Sequence, residues 1–134
     1  TEYIAGYTIV NDLSARDLQK SDGQWVRSKS LDGFCPMGPA IVTTDELGDA
    51  SGLKIQTYVN GVLKQDSSTS NMVFGVPAIV EFLSASFTLE PGDVIATGTP
   101  SGVGSARNPP EFLKPGDEVD LYIEKIGHLR NKIV

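Results

Sequence analysis

Three short segments of this sequence carry residue types that could do chemistry together. The first is Asn11-Asp12-Leu13-Ser14-Ala15-Arg16-Asp17-Leu18-Gln19. Asp12, Arg16 and Gln19 fall at i, i+4 and i+7, so a helix reaching back to Asp12 would put all three on one face. A carboxylate there could bind a hard cation, while a guanidinium and an amide could grip a ligand carboxylate or carbonyl. On spacing alone, the commoner explanation is an N-cap followed by a surface ion pair. The second segment is Gln24 to Ser30, where Lys29 lies among aromatic and small residues. An ammonium held there could face a developing oxyanion, although most lysines are simply solvated. The third is Ala96-Thr97-Gly98-Thr99-Pro100-Ser101-Gly102-Val103-Gly104, whose glycines permit close backbone approach and whose hydroxyls can bind oxygens. It has neither the phosphate-loop pattern ending in Gly-Lys-Ser/Thr nor a following helix, so a nucleotide site is a weak reading.

Other catalytic arrangements are missing. His128 stands near the chain end with no nucleophile elbow, and reads as a structural residue. Cys35 has no activating neighbour and reads as a small buried hydrophobe. One Cys and one His argue against a zinc site within the chain, since such sites usually draw three or four ligands from Cys and His.

The elements that must position these segments follow from periodicity and punctuation. Tyr3 to Val10 is β-branched and aromatic and predicts a strand. Ser14 and Asp17 resemble a capping box, predicting a helix over about Ala15 to Lys20. Gln24 to Pro39 reads as a long loop anchored by Trp25, Phe34 and Cys35, then Ala40 to Thr44 as a strand. Leu53 to Val59 alternates with period two, Asn60-Gly61 is a strong hairpin signal, and Val62 to Gln65 returns. Pro77 to Ser84 predicts a helix with Ile79, Phe82 and Leu83 on its apolar face. Glu90-Pro91-Gly92-Asp93 and Lys114-Pro115-Gly116-Asp117 predict two similar type II turns, feeding strands Val94–Thr97 and Val119–Ile123. Seven or so short strands and two short helices make a mainly β fold with minor α content, in one domain over residues 1–134.

Composition excludes whole classes. The 134 residues carry a net charge of −6, against the basic surface that nucleic-acid binding needs. No apolar run is long enough to span a membrane, and the first residues do not resemble a signal peptide. A single cysteine and hence no internal disulfide argue for a reducing compartment or for no redox constraint at all; the expected location is cytoplasmic.

Taken in order, the motifs resemble the fumarylacetoacetate hydrolase family. They are Gly6 to Gln19; Gln24-Trp25 with Lys29-Ser30 and Pro36-Met37-Gly38-Pro39; Val59-Asn60-Gly61; Leu89 to Gly104; and Gly127-His128-Leu129-Arg130-Asn131, where His128 replaces a common Thr. The resemblance implies a mixed β-sheet roll around an active site, usually in a homodimer. It implies Mg²⁺, or Mn²⁺ or Ca²⁺, held by three carboxylates of which Asp12 matches the last. Arg16, Gln19, Lys29 and Thr99 match substrate-contacting positions, with Lys29 as the catalytic residue. The implied substrates are small keto or enol carboxylic acids such as hydroxyhepta-dienedioate, acylpyruvates, ureidoglycolate or oxaloacetate. The implied reactions are C–C hydrolysis, decarboxylation or isomerisation through a metal-stabilised enolate.

The family's other two metal carboxylates, a Glu-x-Glu pair, and its water-activating Glu and His lie upstream of this sequence. The expectation is therefore a domain truncated at its N-terminus, whose site a separate N-terminal fragment could complete. The competing expectation is a non-catalytic ligand-binding or dimerisation domain of the same fold.

Overall fold

A computed structural model describes residues 2–134; Thr1, the first of the residues compared with a signal peptide, lies outside them. The described chain contains six strands and four short α-helices: β1 Gly6–Val10, α1 Arg16–Asp22, α2 Val26–Lys29, β2 Met37–Thr43, α3 Thr44–Leu47, β3 Lys54–Val59, β4 Val62–Ser68, α4 Val76–Ser84, β5 Glu118–Ile123 and β6 Gly127–Lys132. The mainly β expectation with minor α content holds.

The strands form two sheets: β1 with β2, and a four-stranded sheet ordered β4-β3-β5-β6, with every pairing antiparallel. The hairpin between β3 and β4 turns where the sequence predicts. Asn60 and Gly61 take φ of 50° and 76°, the pair of positive values a two-residue hairpin needs. Side-chain alternation gives the large sheet two different faces. Val119 and Leu129 point inward, 3% and 8% exposed, and join Ile9, Leu47 and Leu53 in the core. The small sheet packs on this face, with Gly38 of β2 against Leu129. The opposite face carries the cross-strand rows Gln56–Tyr122–His128 and Tyr58–Asp120–Arg130.

Several local expectations change for lack or presence of a partner. β1 starts at Gly6 rather than Tyr3, because its partner strand ends at Thr43, opposite Gly6, where the chain turns into α3. Helix α2 lies within the stretch read as a long loop, and α3 begins at Thr44, read as the end of a strand. Neither Trp25, at 66% exposure, nor the exposed Cys35 anchors the loop after α1. That work falls to fully buried Ser28 and to the Asn11 amide, which donates to the Pro36 carbonyl at 3.0 Å. Val94–Thr97 is not a strand: no backbone hydrogen bond to a neighbouring strand is formed there, and Val94 is 57% exposed. α4 forms as predicted, yet it buries no residue, and Phe82 on its expected apolar face is 74% exposed.

Candidate active site

Asp12 lies just beyond β1, and its position is fixed by its neighbour. Asn11 is buried, and its side-chain amide donates to the Asn131 side chain on β6 at 3.0 Å. Strand β1 is thereby tied to the large sheet one residue before the carboxylate. Helix α1 does not reach back to Asp12. Its N-cap is Ala15, and no side chain caps it. The capping box read from Ser14 and Asp17 is not formed, because Ser14 is engaged elsewhere.

Lys29, at the end of α2, takes the place that the helix face was expected to supply. Its Nζ donates to Asp12 Oδ2 at 2.6 Å and to Ser14 Oγ at 3.0 Å, and sits 5.9 Å from the centre of the Trp25 ring. The two helices are joined at this point. The Ala15 amide donates to the Ser28 carbonyl at 2.9 Å, and Ser28 Oγ donates to the Trp25 carbonyl at 2.7 Å. Buried Ser28 thus sets the direction of the next residue, Lys29. The Asp12–Lys29 pair is partly exposed, so by itself it adds at most about 1 kcal/mol to stability. Its interest is the charge it holds in place.

Arg16 and Gln19 meet one turn apart on α1, with Arg16 Nη1 donating to Gln19 Oε1 at 2.7 Å. Arginine can only donate, so the Gln19 atom facing it must be the carbonyl oxygen, leaving the Gln19 NH₂ group to point a donor elsewhere. Arg16 keeps further N–H groups, and Lys29 keeps one of its ammonium protons after serving Asp12 and Ser14. The cluster beside α1 and α2 is therefore rich in free donors around one carboxylate.

Thr99 shares no hydrogen bond with these four residues. It belongs to the glycine-rich loop, which packs on β4. Gln65 Nε2 reaches Thr99 Oγ1 at 2.9 Å and the Pro100 carbonyl at 2.8 Å. Gly102 and Gly104 serve this packing. A Cβ on Gly102 would lie 2.5 Å from the Lys64 carbonyl oxygen, and one on Gly104 would lie 2.2 Å from that of Glu111. Sequence reasoning placed Asp12, Arg16, Gln19, Lys29 and Thr99 but missed Ser14, Trp25 and Gln65 as their partners. Ser14 was visible within the first motif. Gln65 had no local signal, because its contact spans 34 residues.

A divalent ion of the Mg²⁺ type takes about six oxygen ligands. Among the described residues no three His, Cys, Asp or Glu side chains are grouped to hold one, and Lys29 engages one oxygen of Asp12. The donor set of this chain alone does not fit a bound divalent ion; Asp12 could contribute only one ligand.

A shallow cleft elsewhere, on the outer face of the large sheet, is lined by Gln56, Tyr58, Asp120, Tyr122 and His128. Its polar groups are paired with each other. Asp120 accepts from His128 Nδ1 at 2.9 Å and from Arg130 Nε at 3.0 Å, and the His128 ring lies on Tyr122 with centroids 4.7 Å apart. Burial pushes the Asp120 carboxyl up, and the hydrogen bonds from His128 and Arg130 more than offset it, so it titrates below the usual value. The structural reading of His128 is consistent with this pairing.

These features define a class: a mainly β domain with hydrogen-bond donors gathered beside a single carboxylate, suited to an oxygen-rich anion. The chain belongs to the fumarylacetoacetate hydrolase family, since residues 1–134 match that family's C-terminal domain, described as "Fumarylacetoacetate (FAA) hydrolase C-terminal". It is 52% identical to the oxaloacetate tautomerase YisK of Bacillus subtilis over 98% of this chain and 44% of that protein. Among solved structures, a fumarylacetoacetate hydrolase from Exiguobacterium antarcticum superposes with a TM-score of 0.95 at 52% identity, covering 98% of this chain and 47% of that one. A 2-hydroxyhepta-2,4-diene-1,7-dioate isomerase from Mycobacterium marinum gives 0.88 at 53% identity, over 99% and 49%. The chain spans about half the length of the relatives it matches. Among the described residues no helix is long and apolar enough to cross a membrane.

Proposed function

We propose that this chain supplies the substrate-facing part of an enzyme that isomerises or tautomerises a small keto or enol carboxylic acid with the help of Mg²⁺. The observation that carries the reading is the Lys29 ammonium, held 2.6 Å from Asp12 and 3.0 Å from Ser14 with one proton to spare. Keto–enol interconversion places negative charge on an oxygen, and a fixed cation beside that oxygen lowers the barrier because it needs no reorganisation as the charge develops. Arg16 and the free Gln19 amide would hold the acid's carboxylate, and Thr99 would bind a further oxygen. Relatives named as oxaloacetate tautomerases and a diene-dioate isomerase agree in chemistry. The cation, for which Asp12 is the ligand this chain would offer, belongs to the proposal, as do assembly into a homodimer and a cytoplasmic location.

The test is a panel of oxaloacetate, acylpyruvates, fumarylpyruvate, ureidoglycolate and hydroxyhepta-dienedioate, given to the full-length protein with Mg²⁺ and with EDTA. Turnover of at least one acid, lost in EDTA, is expected. Asp12→Ala should abolish that turnover while changing stability by no more than about 1 kcal/mol. Lys29→Met should lower kcat by about a hundredfold or more, the usual effect of losing one oxyanion partner. Near-normal turnover in either variant would refute the assignment.

A further inference from the structure

The Thr99 hydroxyl can both donate and accept, and nothing in its own chemistry decides which it offers a ligand. The structure decides it through Gln65. Pro100 presents a carbonyl, which only accepts, so the Gln65 atom 2.8 Å from it must be the NH₂ nitrogen. The same nitrogen lies 2.9 Å from Thr99 Oγ1. Thr99 must accept there, and its own proton is left for something else. We infer that Gln65 is a positioning residue that fixes Thr99 as a hydrogen-bond donor, and so selects a negatively charged ligand oxygen at that position.

The setting of Gln65 is built rather than incidental. The β3–β4 ladder has a bulge: Thr57 faces Gln65 and Tyr58 faces Leu63, which leaves Lys64 unpaired. Bulges re-aim the side chains beside them. The unpaired Lys64 carbonyl accepts from Arg107 Nη2, while Arg107 Nε donates to the Gly102 carbonyl at 3.2 Å. Lys64 Nζ meets Glu111 at 2.6 Å, and the Glu111 amide donates to the Gly104 carbonyl at 3.0 Å. The chain just beyond Pro100 is thus clamped to β4 through Gly102, Gly104, Arg107 and Glu111, independently of Gln65. Loss of the Gln65 amide should therefore disturb the hydroxyl's direction more than the loop's place.

The inference rests on the proposed role of Thr99, so the experiment separates the two. Full-length Gln65→Glu, Gln65→Met, Thr99→Val and Gln65→Glu/Thr99→Val proteins are compared with the unaltered protein in Mg²⁺. The readouts are kcat and KM for the best keto acid, and the Kd for oxalate, a stable dianion whose adjacent carboxylates resemble the carboxylate and neighbouring enolate oxygen of an enolised 2-keto acid. Urea midpoints confirm that each variant is folded. A Glu at position 65 accepts from Thr99 and takes its proton away from the ligand. Gln65→Glu and Thr99→Val should each raise KM and the oxalate Kd about tenfold, the loss typical of one hydrogen bond to a charged group, with kcat nearly unchanged. In the Thr99→Val background, Gln65→Glu should add less than about twofold, because the proton it removes is already gone. Gln65→Met, which cannot take the proton, should cost clearly less than Gln65→Glu. Equal effects of Met and Glu, additive effects in the double variant, or no oxalate binding by the unaltered protein would each overturn the inference. An intact oxalate cycle in a protein that turns over no keto acid would instead uphold the inference and refute the proposed function.

Discussion

Glu90-Pro91-Gly92-Asp93 and Lys114-Pro115-Gly116-Asp117 close the same turn in the same way. In each, the Asp amide donates to the carbonyl of the first residue, at 3.1 and 3.0 Å, and the Asp carboxylate accepts from the first residue's amide at 2.8 Å. In each, Gly takes a φ near +100°. The chains that leave these turns have different fates. After Asp117 the chain becomes β5, the strand between β3 and β6, and Val119 is 3% exposed. After Asp93 it pairs with no strand, and Val94 is 57% exposed. The difference lies in the neighbours. Asn60, at the tip of the β3–β4 hairpin, bonds Asp117 and the Glu118 amide, both at 2.9 Å, and its own amide donates to the Glu118 carbonyl. Among the described residues, the Asp93 carboxylate bonds only within its own turn. A turn is local chemistry, whereas a strand exists only when another strand pairs with it.

The largest effect should come from placing a charge after each turn. Val119→Asp buries an unpaired carboxylate in the core, which costs more than about 4 kcal/mol and should unfold the 134-residue chain. Val94→Asp should shift its urea midpoint by the equivalent of no more than about 0.5 kcal/mol, as for other surface changes. A large loss from Val94→Asp would mean that the segment after Asp93 is packed in solution, and would dissolve the contrast.

Substituting the turn glycines makes a finer comparison. A Cβ at Gly92 or at Gly116 meets nothing within 4 Å, so Ala would bring only backbone strain, about 1–3 kcal/mol. That strain should appear in full in the urea midpoint of Gly116→Ala, because this turn is bound to the sheet. Gly92→Ala should lower the midpoint less, since a segment that opens on its own does not draw on global stability. Equal midpoints would place both turns in one cooperative unit.

The same distinction explains what could be read from the sequence. The Asn60-Gly61 hairpin, both Pro-Gly turns and helix α4 were legible because each rests on neighbours in sequence. The strand expected at Val94–Thr97 was not, because the same residues form a strand or an unpaired run according to what lies beside them. Within the candidate site, Asp12, Arg16, Gln19, Lys29 and Thr99 were singled out from motifs. Their partnerships were only partly so. The Arg16–Gln19 bond follows from helical spacing. The Asp12–Lys29 pair depends on Ser28 joining two helices, and the Gln65–Thr99 bond on a bulge in β4.

The smallest effect concerns acid. The hydrogen bond from Asn60, and after it that from the Lys114 amide, hold the Asp117 carboxyl below its ordinary value of 3.8. A carboxyl depressed by folding binds its proton more weakly in the native chain than in the unfolded one. Its contribution to stability is therefore complete above the unfolded value, and is lost as pH falls through the folded value. Stability should decline from about pH 4 downward, and Asp117→Asn should remove that part of the decline. The other exposed carboxylates titrate too, so the decisive comparison is Asn60→Gly. Glycine keeps the positive φ of 50° without strain, and removes the side-chain amide with its bonds to Asp117 and to the Glu118 N–H. If Asn60 is what joins this turn to the sheet, Asn60→Gly should lower stability at neutral pH and flatten its fall in acid. An unchanged acid limb would mean that Asp117 is held by its own turn alone, just as Asp93 is, and that the burial of Val119 by itself separates the two turns.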